Sequence, residues 1–384
     1  MDQINELLLQ AEEFFRELPG EEIVIADSLI AALKPYLSDE TVVFSGSHYA
    51  GTLRQAGFEV WDGVIEAEPA VSTVEAMAEF LRVRQFRTVI AVGGGSVLDA
   101  AKAALLMVES GFALNDLFGV NLFGSAHPEK VLARLIAVPT TSGTGSEATP
   151  YSNIVVPEAG VKRLIVENKS IPQKAFIIPQ LTESMPPLLT RATGCDALAH
   201  LIEGFLNVGA DGNHPAVNAW AECGIALVKL ALPAAVQGDT SARKAMAYAS
   251  LLGGMTIRYK STGLPHLCSF SWFGRIAHGD AVAVLLPACW RYYLANPAVR
   301  ERTMELAEIF PGNSPEEVIA SYEDFLDLLG MPGGLSAWNG INAALIEKTA
   351  RSGAQNRMKL ELAPHPVPLE ESYDILEAVM KLSL

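Results

Sequence analysis

The chain has few basic residues and few cysteines. Its 28 Lys and Arg stand against 44 Asp and Glu, a net charge of −16. Repulsion from phosphate backbones and acidic lipid head groups therefore argues against nucleic acid and membrane as partners. Its four cysteines, Cys195, Cys223, Cys268 and Cys289, show no CxxC or repeated spacing. That spacing argues against a disulfide framework or a zinc ribbon and is typical of a protein of the reducing cytoplasm.

Long uncharged apolar runs and targeting signals are also missing. The opening MDQINELLLQAEEFFREL predicts an acidic amphipathic helix, without the basic start and apolar core of a secretory signal. No uncharged apolar run approaches the length needed to span a bilayer. With 384 residues, 50% of them hydrophobic, the chain is long enough for two cores. We therefore expect a cytoplasmic protein of two domains.

The first part of the chain alternates between short apolar runs and helical patterns. EEIVIAD, ETVVFSG, FRTVIAVGGG and ARLIAVPTT are typical strands, and VSTVEAMAEFLRVRQ is a typical helix. Buried strands rich in Val and Ile, separated by helices, indicate a parallel sheet covered on both faces. We predict a Rossmann-like α/β domain over residues 1–178.

The second part lacks strand-like runs. From about residue 179 onward, apolar residues recur at three- and four-residue spacing over long stretches, as in AVNAWAECGIALVKLALPAAV. We predict an all-helical domain over residues 179–384. Ser184, just before Pro186 and Pro187, is the predicted N-cap of the helix that follows.

Four polar side chains of this helical part form a candidate metal site. Asp196 and His200, in GCDALAHLIEG, lie one helical turn apart, and His266 and His278 follow in an apolar stretch. Oxygen and imidazole nitrogen donors suit a divalent first-row metal, and four of them complete a tetrahedral set. Each alone has an ordinary interpretation: a solvated helix face for the pair, or a core or loop histidine for the others.

A glycine-rich turn follows the predicted strand RTVIAV. Gly93, Gly94 and Gly95 lead through Ser96 into the predicted helix VLDAAKAALLM. Glycines let the backbone approach a phosphate, and the amides at a helix start bind anions. GGGS alone is typical of an ordinary loop, and the spacing is not GxGxxG. The strand before it and the helix after it favour a dinucleotide site.

These motifs occur in the order found in a known family. GGGSVLDAAK at 93–102, PTTSGTGSEAT at 139–149 and GCDALAHLIEG at 194–204 resemble the iron-type (group III) alcohol dehydrogenases, and the resemblance covers most of the chain. It implies an α/β dinucleotide-binding domain and an all-α metal domain, the dehydroquinate synthase-like architecture. It implies that Asp196, His200, His266 and His278 bind a divalent metal, typically Fe²⁺, although Zn²⁺ or Mn²⁺ would suit the same donors.

The resemblance also implies an NAD(P)(H) cofactor and the residues that bind it. They are Gly93, Gly94, Gly95, Ser96, Asp99, Thr140, Thr141, Ser142, Thr144 and Lys162. Without the resemblance, PTTSGTG would be interpreted as a polar turn and Lys162 as a surface charge.

The choice between NAD and NADP depends on the end of the first nucleotide-domain strand. A carboxylate there binds the ribose hydroxyls and repels a 2′-phosphate. This chain has Ser45, Gly46 and Ser47 there and no acidic side chain. These neutral residues favour NADP(H).

The chain departs from the family after His266. Phe270 stands where members usually have a further histidine, and the segment before His278 is two residues shorter. That segment, SFSWFGRIA, contributes Arg275. A solvated charge is the ordinary interpretation of Arg275; alternatively its guanidinium binds an anionic substrate group. We predict Phe270 and Arg275 as substrate contacts.

The resulting hypothesis is a metal-dependent oxidoreductase that interconverts an alcohol and a short aldehyde, either neutral or anionic. The substrate is expected to bind between the two domains. Two alternatives remain: a dehydroquinate synthase-like lyase, and a protein that binds metal and nucleotide without catalysis. Because the family often forms dimers or larger assemblies, a homo-oligomer is an open expectation.

Overall fold

The computed structural model describes residues 2–384. It divides into two compact units: residues 12–184, and residues 185–384 together with the start of the chain through Ala11. The sequence predicts a boundary at 178/179. Residues 12–184 form the α/β unit, and the other described residues form the helical unit.

The main sheet of the α/β unit has six strands, all parallel, in the order β1-β9-β6-β4-β2-β3. They are β1 (Glu22–Ile25), β2 (Thr41–Ser45), β3 (Glu59–Val60), β4 (Thr88–Gly93), β6 (Arg134–Pro139) and β9 (Lys174–Ile177). β2 is buried throughout, as is all of β4 after its first residue. Burial on both faces explains the apolar centres of these strands. Their parallel pairing confirms the predicted parallel sheet.

A second, three-stranded sheet has the order β5-β8-β7. It comprises β5 (Gly119–Val120), β7 (Tyr151–Val156) and β8 (Val161–Val166). β7 and β8 form an antiparallel hairpin from Tyr151↔Val166 to Val156↔Val161. The sequence analysis did not predict this hairpin, which follows the PTTSGTGSEAT segment directly.

The strand order places three loops side by side. From β2 the chain runs outward to β3 and then returns to β4 on the other side of β2. In open α/β sheets, ligands bind at such a switch point, beyond the carboxyl ends of the strands. Ser45 pairs with Val92 and Gly93 pairs with Pro139 at that edge. The loops after β2, β4 and β6, which contain most of the predicted cofactor residues, therefore adjoin one another.

The chain forms sixteen α-helices among the described residues. The first six are α1 (Asp2–Arg16), α2 (Leu29–Leu33), α3 (Ser47–Gln55), α4 (Val71–Arg82), α5 (Gly95–Ser110) and α6 (Leu122–Ala126). The next five are α7 (Pro187–Leu206), α8 (Val217–Val236), α9 (Arg243–Tyr259), α10 (Leu264–Ser269) and α11 (His278–Tyr293). The last five are α12 (Pro297–Glu305), α13 (Pro315–Leu328), α14 (Ala343–Gly353), α15 (Arg357–Glu361) and α16 (Ser372–Leu382). No strand lies between 185 and 384, in agreement with the predicted all-helical part.

Helix α7 is the central helix of the helical unit. It packs against α8, α9 and α11 and is buried on nearly every face from Thr190 to Leu206. A helix that is apolar all round is typical of a core position. The predicted N-cap is wrong: α7 begins at Pro187, its N-cap is Pro186, and no side chain caps it. Pro187 fits the first turn because it lacks the N–H that would otherwise need a partner.

Among the described residues, α8 is the one helix long and apolar enough to cross a membrane by length and composition. It contains Glu222 and Lys229, and 56% of its most apolar window is buried inside the protein. α8 packs against α7 and α9. Its burial is that of a core helix of the helical unit.

A buried ion pair joins α7 to α11. Arg191 Nη2 lies 2.9 Å from Asp280 Oδ2 and Arg191 Nε lies 3.3 Å from Asp280 Oδ1, so the contact is bidentate. Arg191 Nη1 also donates to the Gly330 carbonyl at 2.8 Å. Since α7 and α11 contain three of the four predicted metal ligands, this pair helps to fix their spacing.

Replacing Asp280 by Asn should lower the free energy of unfolding by about 3 kcal/mol, because it leaves the buried Arg191 without a counter-charge. The matched control is Glu323→Gln, which breaks the bidentate but exposed pair of Arg291 and Glu323 and should cost less than about 1 kcal/mol. Urea unfolding followed by circular dichroism measures both. Equal losses in the two variants would contradict the structural role of the buried pair.

Candidate active site: a histidine cluster and a glycine-rich sheet edge

Three helices of the helical unit bring the four predicted ligands together. Asp196 and His200 lie one turn apart on α7, His266 is on α10, and His278 is the first residue of α11. Donor atoms of Asp196, His200 and His266 all lie within 4.8 Å of one another and are buried. The cluster thus combines residues up to 82 positions apart in sequence.

The three imidazoles converge on one carboxylate oxygen. Asp196 Oδ1 lies 3.8 Å from His200 Nε2, 3.5 Å from His266 Nε2 and 3.5 Å from His278 Nε2. Ligands about 2.1 Å from a tetrahedral metal ion are about 3.4 Å from each other. The distances from Asp196 Oδ1 therefore suit ligands that share one cation. The group in which every donor lies within 4.8 Å of every other consists of Asp196, His200 and His266, and His278 lies at its edge, close to Asp196.

Two of these atoms show that the cluster fits a metal ion. Asp196 Oδ1 and His266 Nε2 are buried, and neither has a hydrogen-bond partner within residues 2–384. Buried polar atoms without partners are rare because desolvation is costly. A divalent cation bound by one carboxylate oxygen and imidazole nitrogens would satisfy both atoms.

The electrostatics of the cluster also favour a cation. Burial raises the pKa of the Asp196 carboxyl, but His200, His278 and His266 outweigh it and hold that pKa well below its usual range. Burial lowers the pKa of His266, yet Glu203 and Asp196 raise it to about 9. Both shifts have the same meaning: the site stabilises positive charge at the position the donors face.

Glu203 and Ser269 orient two of the imidazoles. The fully buried Glu203 accepts a hydrogen bond from His266 Nδ1 at 2.5 Å and another from the Gly263 amide. Ser269 Oγ donates to the His266 carbonyl at 2.7 Å, which leaves its oxygen to accept from His278 Nδ1 at 3.2 Å. With the Nδ1 protons held in this way, a metal ion that replaces the second proton would find both Nε2 atoms on the side of Asp196 as donors.

Glu203 and Ser269 were not predicted from the sequence. A signal was present for each: Glu203 is an acidic residue seven positions after Asp196 on the same helix, and Ser269 lies one turn after His266. Spacing could not show which histidine either would contact.

The glycine after His278 has a steric reason. A Cβ on Gly279 would lie 1.7 Å from the Ala192 carbonyl oxygen and 3.1 Å from Asp196 Cβ. The start of α11 therefore touches the backbone of α7. Any larger residue at this position would push His278 away from Asp196.

The shortened segment after α10 turns a large side chain inward. Trp272 is fully buried, and its Nε1 donates to Thr349 Oγ1 at 2.9 Å. Phe270 is buried at the end of α10. Arg275 is exposed, lies against Gly340 and forms no ion pair within residues 2–384. The roles of Phe270 and Arg275 as substrate contacts stay predictions.

In the α/β unit, the start of α5 has the features of an anion site. Its N-cap is Gly94, and no side chain caps it, so the first amides of a sixteen-residue helix remain available to a ligand. A Cβ on Gly94 would lie 3.1 Å from Thr141 Oγ1, and one on Gly95 would lie 2.5 Å from Thr144 Cγ2. The two glycine-rich loops therefore pack directly on each other, with room for backbone only.

Other predicted cofactor residues surround these loops. The Thr140 amide donates to the Gly93 carbonyl at 3.0 Å. Ser142 Oγ is buried and has no hydrogen-bond partner in the described chain, so a ligand group would satisfy it. Ser96 Oγ donates to the Ala67 carbonyl. Lys162, on β8, lies 2.5 Å from the Glu68 carboxylate and is largely buried.

Asp99 occupies a different environment from the one its predicted role requires. Its Oδ1 accepts from Ser146 Oγ at 2.6 Å, and its Oδ2 accepts from the Asn153 amide at 2.8 Å. Both oxygens are thus engaged inside the protein. A direct contact with the cofactor stays a prediction.

Ser45, Gly46 and Ser47 lie where β2 gives way to α3. Ser45 is buried, Gly46 is the N-cap of α3, and Ser47 is its first residue. The first turn of α3 contains no acidic residue. A Cβ on Gly46 would meet no atom within 4 Å, and its φ of −59° suits any amino acid.

Comparison with known families and proteins identifies the relatives of this chain. Residues 39–179 match the iron-containing alcohol dehydrogenase family, and residues 190–380 match the C-terminal family of Fe-containing alcohol dehydrogenases. The long-chain-alcohol dehydrogenase 1 of Geobacillus thermodenitrificans is 36% identical over 338 residues, 83% of this chain and 81% of the relative.

Two further similarities concern the cofactor. The NADPH-dependent butanol dehydrogenase of Clostridium saccharobutylicum is 31% identical over 71% of this chain and 69% of its own. The structure of sulfoacetaldehyde reductase from Bifidobacterium kashiwanohense in complex with NAD⁺ superposes with a TM-score of 0.77 at 25% identity, covering 95% of this chain and 97% of that one.

Replacing Glu203 by Gln should weaken metal binding by about 10- to 100-fold, because the neutral amide orients His266 less firmly and makes its Nε2 a weaker donor. Glu222→Gln, an exposed carboxylate on the neighbouring helix α8, is the control and should leave the affinity unchanged. Competition with a chromophoric chelator measures both dissociation constants. An unchanged affinity in Glu203→Gln would show that the 2.5 Å contact does not support the metal.

Proposed function

Because this chain belongs to the iron-containing alcohol dehydrogenase family, we propose that Asp196, His200, His266 and His278 bind the divalent metal ion with which it interconverts an alcohol and an aldehyde. The observation that carries the proposal is the convergence of three Nε2 atoms on Asp196 Oδ1 at 3.5–3.8 Å. Membership of this family makes the chain an NAD(P)-dependent oxidoreductase, which disfavours the lyase and the non-catalytic alternatives.

The chemistry divides between the bound groups and the chain. When bound, the metal ion polarises the substrate oxygen and the nicotinamide accepts or releases the hydride. Asp196 neutralises part of the positive charge, and its low pKa keeps it ionised. Glu203 and Ser269 hold the protons of His266 and His278 on Nδ1, which keeps the opposite nitrogens available as donors. The family indicates iron, and one oxygen with three nitrogens suits Fe²⁺ as well as Zn²⁺ or Mn²⁺.

The loops after β4 and β6 are the proposed cofactor site. The uncapped start of α5 suits a pyrophosphate, because its free amides and the helix dipole favour an anion. The buried and unpartnered Ser142 Oγ, with Thr140, Thr141 and Thr144 beside it, suits the polar groups of the ribose and nicotinamide. Lys162, which forms an ion pair with Glu68, stays a predicted cofactor contact.

The cofactor is proposed to be NADP(H). The relatives do not decide this choice, since the butanol dehydrogenase is named NADPH-dependent and the sulfoacetaldehyde reductase structure contains NAD⁺. The local chemistry favours NADP(H): Ser45, Gly46 and Ser47 are small and neutral, and the first turn of α3 contains no carboxylate that would repel a 2′-phosphate.

The proposed substrate is a short aldehyde. The more specific alternative is a short aldehyde that carries an anionic group. Arg275 is an exposed guanidinium three residues before His278, and no carboxylate pairs with it among residues 2–384. Guanidinium groups bind carboxylates and sulfonates in a bidentate manner. A homo-oligomeric state stays a prediction.

The metal site is tested with His278→Ala. Loss of one of four donors should weaken metal binding by more than about 100-fold, the upper range for losing a group that only orients a ligand, and turnover should fall with metal content. His365→Ala, a loop histidine that packs on Tyr292, is the matched control. Elemental analysis and NADPH oxidation with neutral and acidic short aldehydes are the measurements.

The outcomes separate the proposals. Full metal content and activity in His278→Ala would exclude His278 as a ligand. A wild-type protein that binds metal and NADPH but turns over no aldehyde would overturn the enzymatic proposal. Equal kcat/KM for acidic and neutral aldehydes of the same length would remove the anionic alternative and the role of Arg275.

Replacing Gly46 by Asp should shift the cofactor preference towards NADH by about tenfold or more, because a carboxylate near the 2′-phosphate adds like-charge repulsion. The fold has room for it, since a Cβ there meets no atom within 4 Å. Gly46→Asn has nearly the same shape without the charge and should change the preference little. If the Asp and Asn variants have the same ratio of kcat/KM for NADPH and NADH, the loop after β2 does not select the cofactor.

A further inference from the structure

A lysine without solvent exposure lies at the centre of the α/β unit. Lys102, on α5, has a relative exposure of 0%. Its Nζ donates to Ser146 Oγ at 2.8 Å, to the Ser146 carbonyl at 2.5 Å and to the Thr149 carbonyl at 2.8 Å, and the Tyr151 carbonyl lies 3.1 Å away. The ammonium group of Lys102 thus binds three residues, Ser146, Thr149 and Tyr151, in the segment that joins the loop after β6 to β7.

Asp99, one turn earlier on α5, binds the same segment. It accepts hydrogen bonds from Ser146 Oγ and from the Asn153 amide. The Ser146 hydroxyl therefore bridges the two charges, since it donates to Asp99 and accepts from Lys102. A charge buried to this extent is tolerated only when its polar partners are fixed, so the network favours a single arrangement of residues 146–153.

That arrangement fixes the position of the loop after β6 relative to the start of α5. The loop after β6 is fixed at its start, where the Thr140 amide donates to the Gly93 carbonyl. It is fixed at its end, where Lys102 and Asp99 hold Ser146. Between these two points, residues 141–144 pack on Gly94 and Gly95. Helix α5 therefore forms one wall of the site with its first turn and holds the other wall in place with its second and third turns.

We propose that Lys102 and Asp99 are positioning residues that set the distance between the loop at 94–96 and the loop at 140–144, and thereby the affinity for the pyrophosphate and nicotinamide part of the cofactor. The inference rests on the proposed function of these two loops as the cofactor site. It assigns Asp99 an indirect role, which agrees with the internal hydrogen bonds of both its oxygens.

The test is Lys102→Met, with cofactor affinity as the readout. Binding of NADPH is followed by its fluorescence, and binding of 2′-AMP, which has the 2′-phosphate but neither the pyrophosphate nor the nicotinamide, is followed by calorimetry. The dissociation constant for NADPH should rise about 10- to 100-fold, because a misplacement of about 1 Å in a pre-organised site has an effect of that size. The dissociation constant for 2′-AMP should change less than about threefold, since the proposed contacts of its 2′-phosphate lie beside β2 and α3.

Lys260→Met is the matched control. Lys260 is a lysine of the helical unit with 1% exposure, bonded to Asp211 and Asn218. The Lys260→Met variant should lower the melting temperature, as Lys102→Met should, without raising the NADPH dissociation constant. If Lys102→Met does not fold, Ser146→Ala removes only the bridging hydroxyl and should raise the NADPH dissociation constant in the same direction by a smaller factor.

Two results would overturn the inference: an unchanged NADPH affinity in Lys102→Met or Ser146→Ala, or equal losses of NADPH and 2′-AMP affinity, which indicate general destabilisation. Neither measurement requires turnover. A wild-type protein that binds NADPH without reducing any aldehyde would therefore refute the proposed function and leave this inference open to the same binding test.

Discussion

The helical unit depends on one electrostatic arrangement, in which three imidazole nitrogens face a single oxygen of Asp196 inside the protein. Asp196 Oδ1 and His266 Nε2 are buried there without a hydrogen-bond partner among residues 2–384. Such burial is costly in a medium of low polarity, and a cation at the point they share would remove that cost. The surrounding contacts maintain that geometry. Gly279 lets the backbone of α11 touch α7, the buried pair of Arg191 and Asp280 joins the same two helices, and Glu203 fixes the ring of His266.

The proposed anion site of the α/β unit consists of backbone amides rather than charged side chains. Three adjacent parallel strands end at one edge of the sheet, and the glycines after β4 leave the first amides of α5 accessible. Amides and a helix dipole attract an anion without any fixed positive charge. One unit thus presents a carboxylate and imidazoles, donors that suit a cation, and the other presents backbone amides, which suit a phosphate.

Sequence reasoning succeeded where the signal is local. The apolar runs of β2, β4 and β6 predict buried parallel strands, because both faces of such strands are covered. The antiparallel hairpin of β7 and β8 was not predicted, since polar residues such as Asn153 and Lys162 interrupt the alternation of apolar and polar residues along its strands. The predicted cap at Ser184 was wrong because a proline at the helix start already removes one of the amides that a cap would serve.

The sequence by itself determined the donor types at the histidine cluster and the glycine-rich turn after β4, because an i, i+4 pair and a strand–glycine–helix pattern are local geometry. Only the tertiary structure decided which nitrogen of each histidine faces inward and which side chains hold the end of the loop after β6. Glu203 and His266 are 63 residues apart, and Lys102 and Ser146 are 44 apart. Helical periodicity predicts neighbours within one element, whereas contacts across such distances depend on how the elements pack.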